Sequence, residues 1–154
     1  MPLRSLVPPP ILSHPQPVAW PRALERAAVV RGIAVDGGGA YLLPRLIGLA
    51  KAKELVFFGD DLTADDALRI GLVNKVVPAG ELQSAAKQWA ERLAGGPTFA
   101  IGMSKRLLNR SLDCDIETAL DEEAMAQSLV TQSDDTKEGM LAFAERRQPA
   151  FKGR

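Results

Sequence analysis

The chain has one cysteine, one histidine and one tyrosine in 154 residues, and it has no long apolar run. Each scarcity closes a class of function. Cys114 has no internal disulfide partner, and with His14 as the sole histidine no Cys/His zinc cluster can be assembled. This cysteine usage fits a reducing compartment, so we expect a cytoplasmic protein. Arg, Lys or Asp interrupts every apolar stretch short of the roughly 20 residues a bilayer helix needs, which excludes a spanning helix. Charge imbalance is missing too. With 19 Lys+Arg against 19 Asp+Glu, neither a polybasic nucleic-acid scaffold nor an acidic tail is present. What remains, 46% hydrophobic and 25% charged residues, suits a globular chain that buries a core over part of its length.

These totals hide a break near residue 35. Seven of the eleven prolines precede it, among them Pro8, Pro9 and Pro10, and all thirteen glycines lie at Gly32 or later. Residues 1–35 carry four arginines and one acid, Glu25, for a net +3, so residues 36–154 carry −3. Proline fixes φ and donates no backbone hydrogen bond, so Met1 to Pro21 is expected to be extended or irregular, outside any packed element. We therefore separate residues 1–31, a proline-rich leader expected to be disordered or non-native, from residues 32–154. The proline run would break the amphipathic helix of a transit peptide, and no apolar core or cleavage site marks a secretory signal.

Helix signals crowd the second part. Leu82, Ala85, Ala86, Trp89, Ala90 and Leu93 form an apolar stripe closed by Gly95-Gly96-Pro97. Thr63 to Asp66 has the form of a capping box for a short helix stopped by Gly71. Further helices are predicted over about 98–110 and 115–130. A last one is capped by Ser133, carries Gly139, Met140, Phe143, Ala144 and Arg147 on one side, and ends at Pro149. Only Leu72 to Val77, with a doubtful Ala27 to Val35, reads as strand, so the stripes lack a sheet to cover them. An isolated chain of this kind should be marginally stable.

Asp36-Gly37-Gly38-Gly39 precedes the helix-like segment Ala40 to Gly48. Glycines before a helix let a backbone approach a ligand, and the free N–H groups of a helix start favour an anion. The spacing is neither a dinucleotide fingerprint nor a phosphate loop. Local pattern leaves two readings open, a plain turn with Asp36 as its cap or a ligand site.

Asp36-Gly-Gly-Gly-Ala-Tyr-Leu-Leu-Pro-Arg-Leu-Ile-Gly48, Gly59-Asp60, Gly71-Leu-Val-Asn-Lys-Val-Val-Pro78, Ser104-Lys-Arg106, Lys137-Glu-Gly139 and Phe143-Ala-Glu-Arg-Arg147 with Phe151-Lys-Gly153 resemble the C-terminal half of the enoyl-CoA hydratase/isomerase (crotonase) family. The likeness runs through residues 32–154, about four fifths of the chain. It implies an α/β crotonase-like (ClpP/crotonase) fold, here mostly its helical C-terminal part with few strands. It also implies acyl-CoA thioesters as substrates, an enolate intermediate held by two backbone N–H donors, and no metal or redox cofactor.

By the same resemblance the two amide donors and the first glutamate of the hydratase pair belong upstream of the matching residues, and the second glutamate aligns with Ala28. Alanine transfers no proton, so two-carboxylate hydration is not supported. Asp36 aligns with an aspartate that family isomerases use as acid/base, and one carboxylate suffices for isomerisation if burial raises its pKa and the thioester oxygen is held. Gly37 and Gly38 are the accompanying substrate-binding positions. Phe143 and Arg146, one turn apart, align with an aromatic and a cation that touch the CoA nucleotide from a neighbouring subunit of a trimer. From spacing alone Phe143 is core and Arg146 a solvated charge. Lys105 and Arg106 read as surface charge, Cys114 as an inert thiol and His14 as solvated. The expected activity is an isomerase in preference to a hydratase, incomplete without the upstream half. The alternative is a non-catalytic helical fragment that joins trimers of full-length relatives.

Overall fold

The computed structural model describes the backbone of Ile11–His14 and residues 32–78 and 80–154. The chain divides into two compact units, Met1–Lys87 and Gln88–Arg154.

In the first unit β1 (Ile11–His14) lies parallel to β2 (Lys75–Pro78), with Ile11 opposite Lys75 and His14 opposite Pro78. The leader therefore contains a paired strand where its prolines predict irregular chain. Ile11 to His14 is the stretch between Pro10 and Pro15, and every residue in it keeps the N–H that a ladder needs. The rest of the leader, the side chain of His14 and residues 27–31 of the doubtful strand lie outside the described residues. Ile33 to Asp36 is not strand.

Between the strands run α1 (Gly39–Ile47), α2 (Leu49–Phe58) and α3 (Ala64–Arg69). Their shared core is Leu43, Ala52, Ala67, Leu72 and Val73, with Ile47, Val56, Leu62, Ile70 and Val76 packed against it. Thr63 caps α3 as its sequence predicts: the Thr63 hydroxyl accepts from the Asp66 N–H at 3.1 Å and donates to the Asp66 carboxylate at 2.7 Å. At the other end Gly71 takes φ +77°, the Gly71 N–H reaches Leu68 O and the Leu72 N–H reaches Ala67 O. That is a Schellman closure, and it explains why β2 starts at Lys75 and not at Leu72. The N–H groups of Leu72 and Val73 both donate to Ala67 O, and both side chains are buried in the core.

The apolar stripe of α4 (Leu82–Ala94) is covered at Ala85, half-buried at Trp89 and exposed at Leu93. In the second unit α5 (Thr98–Ser111) packs on α6 (Ile116–Val130), and Arg110 pairs with Glu122 at 3.4 Å. Asp115 caps α6 by accepting from the Thr118 N–H at 2.8 Å, which holds its carboxyl below the ordinary range. Ser133 caps α7 (Asp134–Glu145). This helix stops at Glu145, four residues before Pro149, because the chain turns left-handed at Arg146.

Candidate functional site

Asp36 O accepts from the Gly39 N–H at 2.8 Å, and Gly37 (φ +58°) and Gly38 (φ +88°, ψ +4°) have the left-handed angles of a type I′ turn. Side chains resist both conformations. Gly39 is needed for another reason, since a β-carbon there would lie 2.7 Å from Val35 Cγ2. Gly38 is then the N-cap of α1, with no side chain closing the helix start.

The main chain of Asp36 closes this turn, and its carboxylate does not. Among the described residues that carboxylate makes no hydrogen bond or ion pair, so the reading of Asp36 as a side-chain cap is not what is found. Asp36 is exposed. The burial that proton transfer at neutral pH calls for is not supplied by the described residues. Beside the turn, an open apolar recess of about 200 Å³ lies between α1 and α2, lined by Val35, Gly39, Leu43, Leu49, Val56 and Phe57 among others.

Phe143 and Arg146 lie in the second unit. Phe143 is 87% exposed and so is not core. The spacing of one turn, which would put the pair on a shared helix face, needs correction, because Arg146 is beyond the last helical residue at φ +55°. The Arg146 N–H reaches Phe143 O at 3.2 Å and the Arg147 N–H reaches Ala142 O at 3.0 Å, the same closure as at Gly71 but built on a side-chain-bearing residue. Arg146 is exposed, and its guanidinium makes no hydrogen bond or ion pair among the described residues.

Behind this helix end is a network that sequence reasoning missed. Arg147 donates to both Glu138 oxygens, at 2.6 and 3.0 Å, and through Nε to Glu145 at 2.6 Å. Glu138 also accepts the Ala150 N–H at 2.7 Å. Hydrogen bonding from Arg147 first, then from Ala150, holds the Glu138 carboxyl down at about 2, and the same pairing raises Arg147. Asp135, buried at the start of α7, accepts the N–H groups of Lys152 and Gly153 at 2.6 and 2.8 Å. The chain segment after α7 is thus fastened back along the helix. It passes over Gly139, where a β-carbon would sit in ordinary contact with the Phe151 ring at 3.5 Å. Lys137-Glu-Gly139 and Phe151-Lys-Gly153 both stand in the sequence, but no local spacing rule joins them.

Elsewhere Lys105 is half-buried, Arg106 is exposed and Cys114 is half-buried. Among the described residues no cluster of His, Cys, Asp or Glu could hold a metal ion, and no helix is long and apolar enough to cross a membrane.

Residues 25–154 match the family described as enoyl-CoA hydratase/isomerase, so Glu25 to Arg31, which composition assigns to the leader, fall within the matched stretch. The chain is 43% identical over 124 residues to the short-chain-enoyl-CoA hydratase of Clostridium acetobutylicum, covering 80% of this chain and 48% of that protein. It is 38% identical over 123 residues to the 1,2-epoxyphenylacetyl-CoA isomerase of Escherichia coli, covering 80% and 47%. Solved structures agree. An enoyl-CoA hydratase from Bacillus anthracis superposes with a TM-score of 0.75 at 36% identity, covering 81% of this chain and 48% of that one. An enoyl-CoA hydratase/isomerase from Cupriavidus metallidurans CH34 gives 0.75 at 36% identity, covering 82% and 48%. The chain spans about half the length of these relatives. Its fold is the mostly helical C-terminal part of the crotonase fold, and the chain belongs to the enoyl-CoA hydratase/isomerase family.

Proposed function

We propose that this chain serves isomerisation of an unsaturated acyl-CoA thioester, with Asp36 as its acid/base residue. The observation that carries this reading is a carboxylate with no structural task among the described residues, set on a glycine turn beside an apolar recess. Asp36 takes a proton from one carbon of the acyl chain and returns it to another, while the thioester oxygen bears the enolate charge. Gly37 and Gly38 let the backbone come close to the thioester. Ala28 stands where hydration would use a second carboxylate, which favours isomerase over hydratase. The amides that hold the enolate, worth about 2.7–4 kcal/mol each, belong on this reading to family residues outside the matched stretch. The chain therefore works when that other half is supplied, and burial of Asp36 comes with it. Arg146 and Phe143 grip the nucleotide of CoA across a trimer contact, because a guanidinium fork suits phosphate. The CoA thioester is the substrate, no further cofactor is used, and the compartment is the cytoplasm.

The exposed apolar residues of the second unit, Leu108, Ile116, Met125 and Met140 among them, favour a second reading in which the chain is a helical fragment that joins trimers of full-length relatives. Assays of 3-enoyl-CoA isomerisation and crotonyl-CoA hydration, on the chain alone and with the N-terminal half of a relative added, separate the two. Isomerisation that falls by about 10²–10⁴ in Asp36→Asn supports the first. No turnover and no coenzyme A binding under either condition, with mixed trimers formed, supports the second.

A further inference from the structure

Among the described residues Arg146 is the only non-glycine residue with positive φ. A left-handed arginine persists only where its surroundings hold it there. Those surroundings are specific. The reversal at Arg146 turns the chain so that Arg147, the next residue, folds back across the end of α7, where its guanidinium is engaged by Glu138 through both oxygens, by Glu145 and by Gln148 O. Glu138 in turn holds the Ala150 N–H, so the chain is tied on both sides of the reversal. Most surface ion pairs contribute little, but a two-pronged arginine–carboxylate fork inside a network is the exception.

We propose that Glu138 and Arg147 are positioning residues, a clamp that keeps Arg146 left-handed and its free guanidinium projected beyond the helix end for anion recognition. This rests on the reading of Arg146 as the phosphate contact for coenzyme A. A glycine at residue 146 would relieve the backbone but remove the guanidinium, which accounts for an arginine at a position where Gly71 solves the same turn elsewhere. Without the clamp the left-handed conformer becomes a minor population, and the apparent affinity for a ligand that requires it falls by that fraction, about 5–30-fold.

The test uses the whole chain, in the state in which the wild type binds coenzyme A, with two readouts. The amide–Hα coupling and carbon shifts of residue 146 report its φ. Titration with free coenzyme A reports affinity. In Glu138→Gln we expect residue 146 to leave the left-handed region and affinity to drop about 5–30-fold. Arg147→Lys, which keeps the charge and loses the fork, should fall between. Arg146→Ala should bind weakly, and adding Glu138→Gln to it should cost nothing more. A left-handed residue 146 in Glu138→Gln, or an equal loss of affinity from Glu138→Gln in the Arg146→Ala background, overturns the clamp. Unchanged affinity in Arg146→Ala overturns the coenzyme A reading itself, whatever residue 146 does in Glu138→Gln, so the two failures are told apart.

Discussion

Helices α3 and α7 end in the same hydrogen-bond pattern, yet one reverses on Gly71 and the other on Arg146. At Gly71 the turn is intrinsically easy, and the residue after it, Leu72, goes straight into the apolar core with Ala67. At Arg146 the turn resists, and the residue after it, Arg147, is held by the carboxylates of Glu138 and Glu145. The first end is kept by burial and backbone freedom. The second is kept by charge-assisted hydrogen bonds that reach to Ala150, Lys152 and Gly153. A helix end closed by glycine reverses without resistance from a side chain, whereas the one closed by arginine is fastened by the ion pairs around it.

The strongest way to break this contrast is to remove the deepest fastening. Asp135 is buried and accepts two N–H groups of the returning chain. With hydrogen bonds to a charged group contributing about 1.5–3 kcal/mol each, Asp135→Ala should destabilise the second unit by about 3 kcal/mol or more. Hydrogen exchange at Lys152 and Gly153 should accelerate in step, and the first unit should keep its protection. Asp135→Asn retains one acceptor oxygen and should lose about half as much.

Next come the reversals themselves. A β-carbon at Gly71 meets nothing within 4 Å, so Gly71→Ala isolates the backbone cost of a left-handed alanine, about 1–2 kcal/mol lost. Arg146→Gly makes the opposite change and should gain about 1 kcal/mol, while weakening coenzyme A affinity. Paired thermal melts would show the two substitutions shifting the midpoint in opposite directions. A loss of stability in Arg146→Gly would mean that its side chain supports the helix end, and the contrast between the two caps would fail.

Two caps were legible in the sequence: Thr63 with Asp66 and Ser133 with Thr136 close as predicted, whereas Asp115, read as the first residue of a helix, is instead its cap through Thr118. Glycine stops were legible at Gly71 and at Gly95-Gly96, and Gly48 bounds the helix-like segment Ala40 to Gly48, but α2 and its stop at Gly59 were not read from the sequence. What could not be read depends on distant chain. Asp134 and Asp135 look alike as first-turn acids, and only the return of the backbone 17 and 18 residues later decides that Asp135 is the buried one. The pairing of β2 likewise depends on Ile11–His14, across more than sixty residues. At the candidate site the glycine turn was legible, but the idle carboxylate of Asp36 was not, because whether an aspartate caps its own turn is settled by its rotamer and not by its spacing.

The gentlest probe of the fastened end is acid. Glu138 titrates at about 2 in the folded chain against an ordinary 4.5, chiefly because Arg147 and then Ala150 donate to its charged form. A carboxyl whose folded pKa is depressed contributes stability that is fully present above the unfolded value and is lost as pH falls toward the folded one. The contribution of Glu138 should therefore be intact at neutral pH, begin to decline below about 4.5 and be gone near 2. Arg147 stays charged throughout, so the loss belongs to the carboxylate. Other acids protonate in the same window, and the informative quantity is the difference between the wild type and Glu138→Gln. Tracking the Ala150 amide shift by NMR from pH 6 to 2 should show an acid-induced change in the wild type that is absent in the variant. If both chains change alike, the tie at Ala150 does not pass through Glu138, and the two helix ends differ less than their partners suggest.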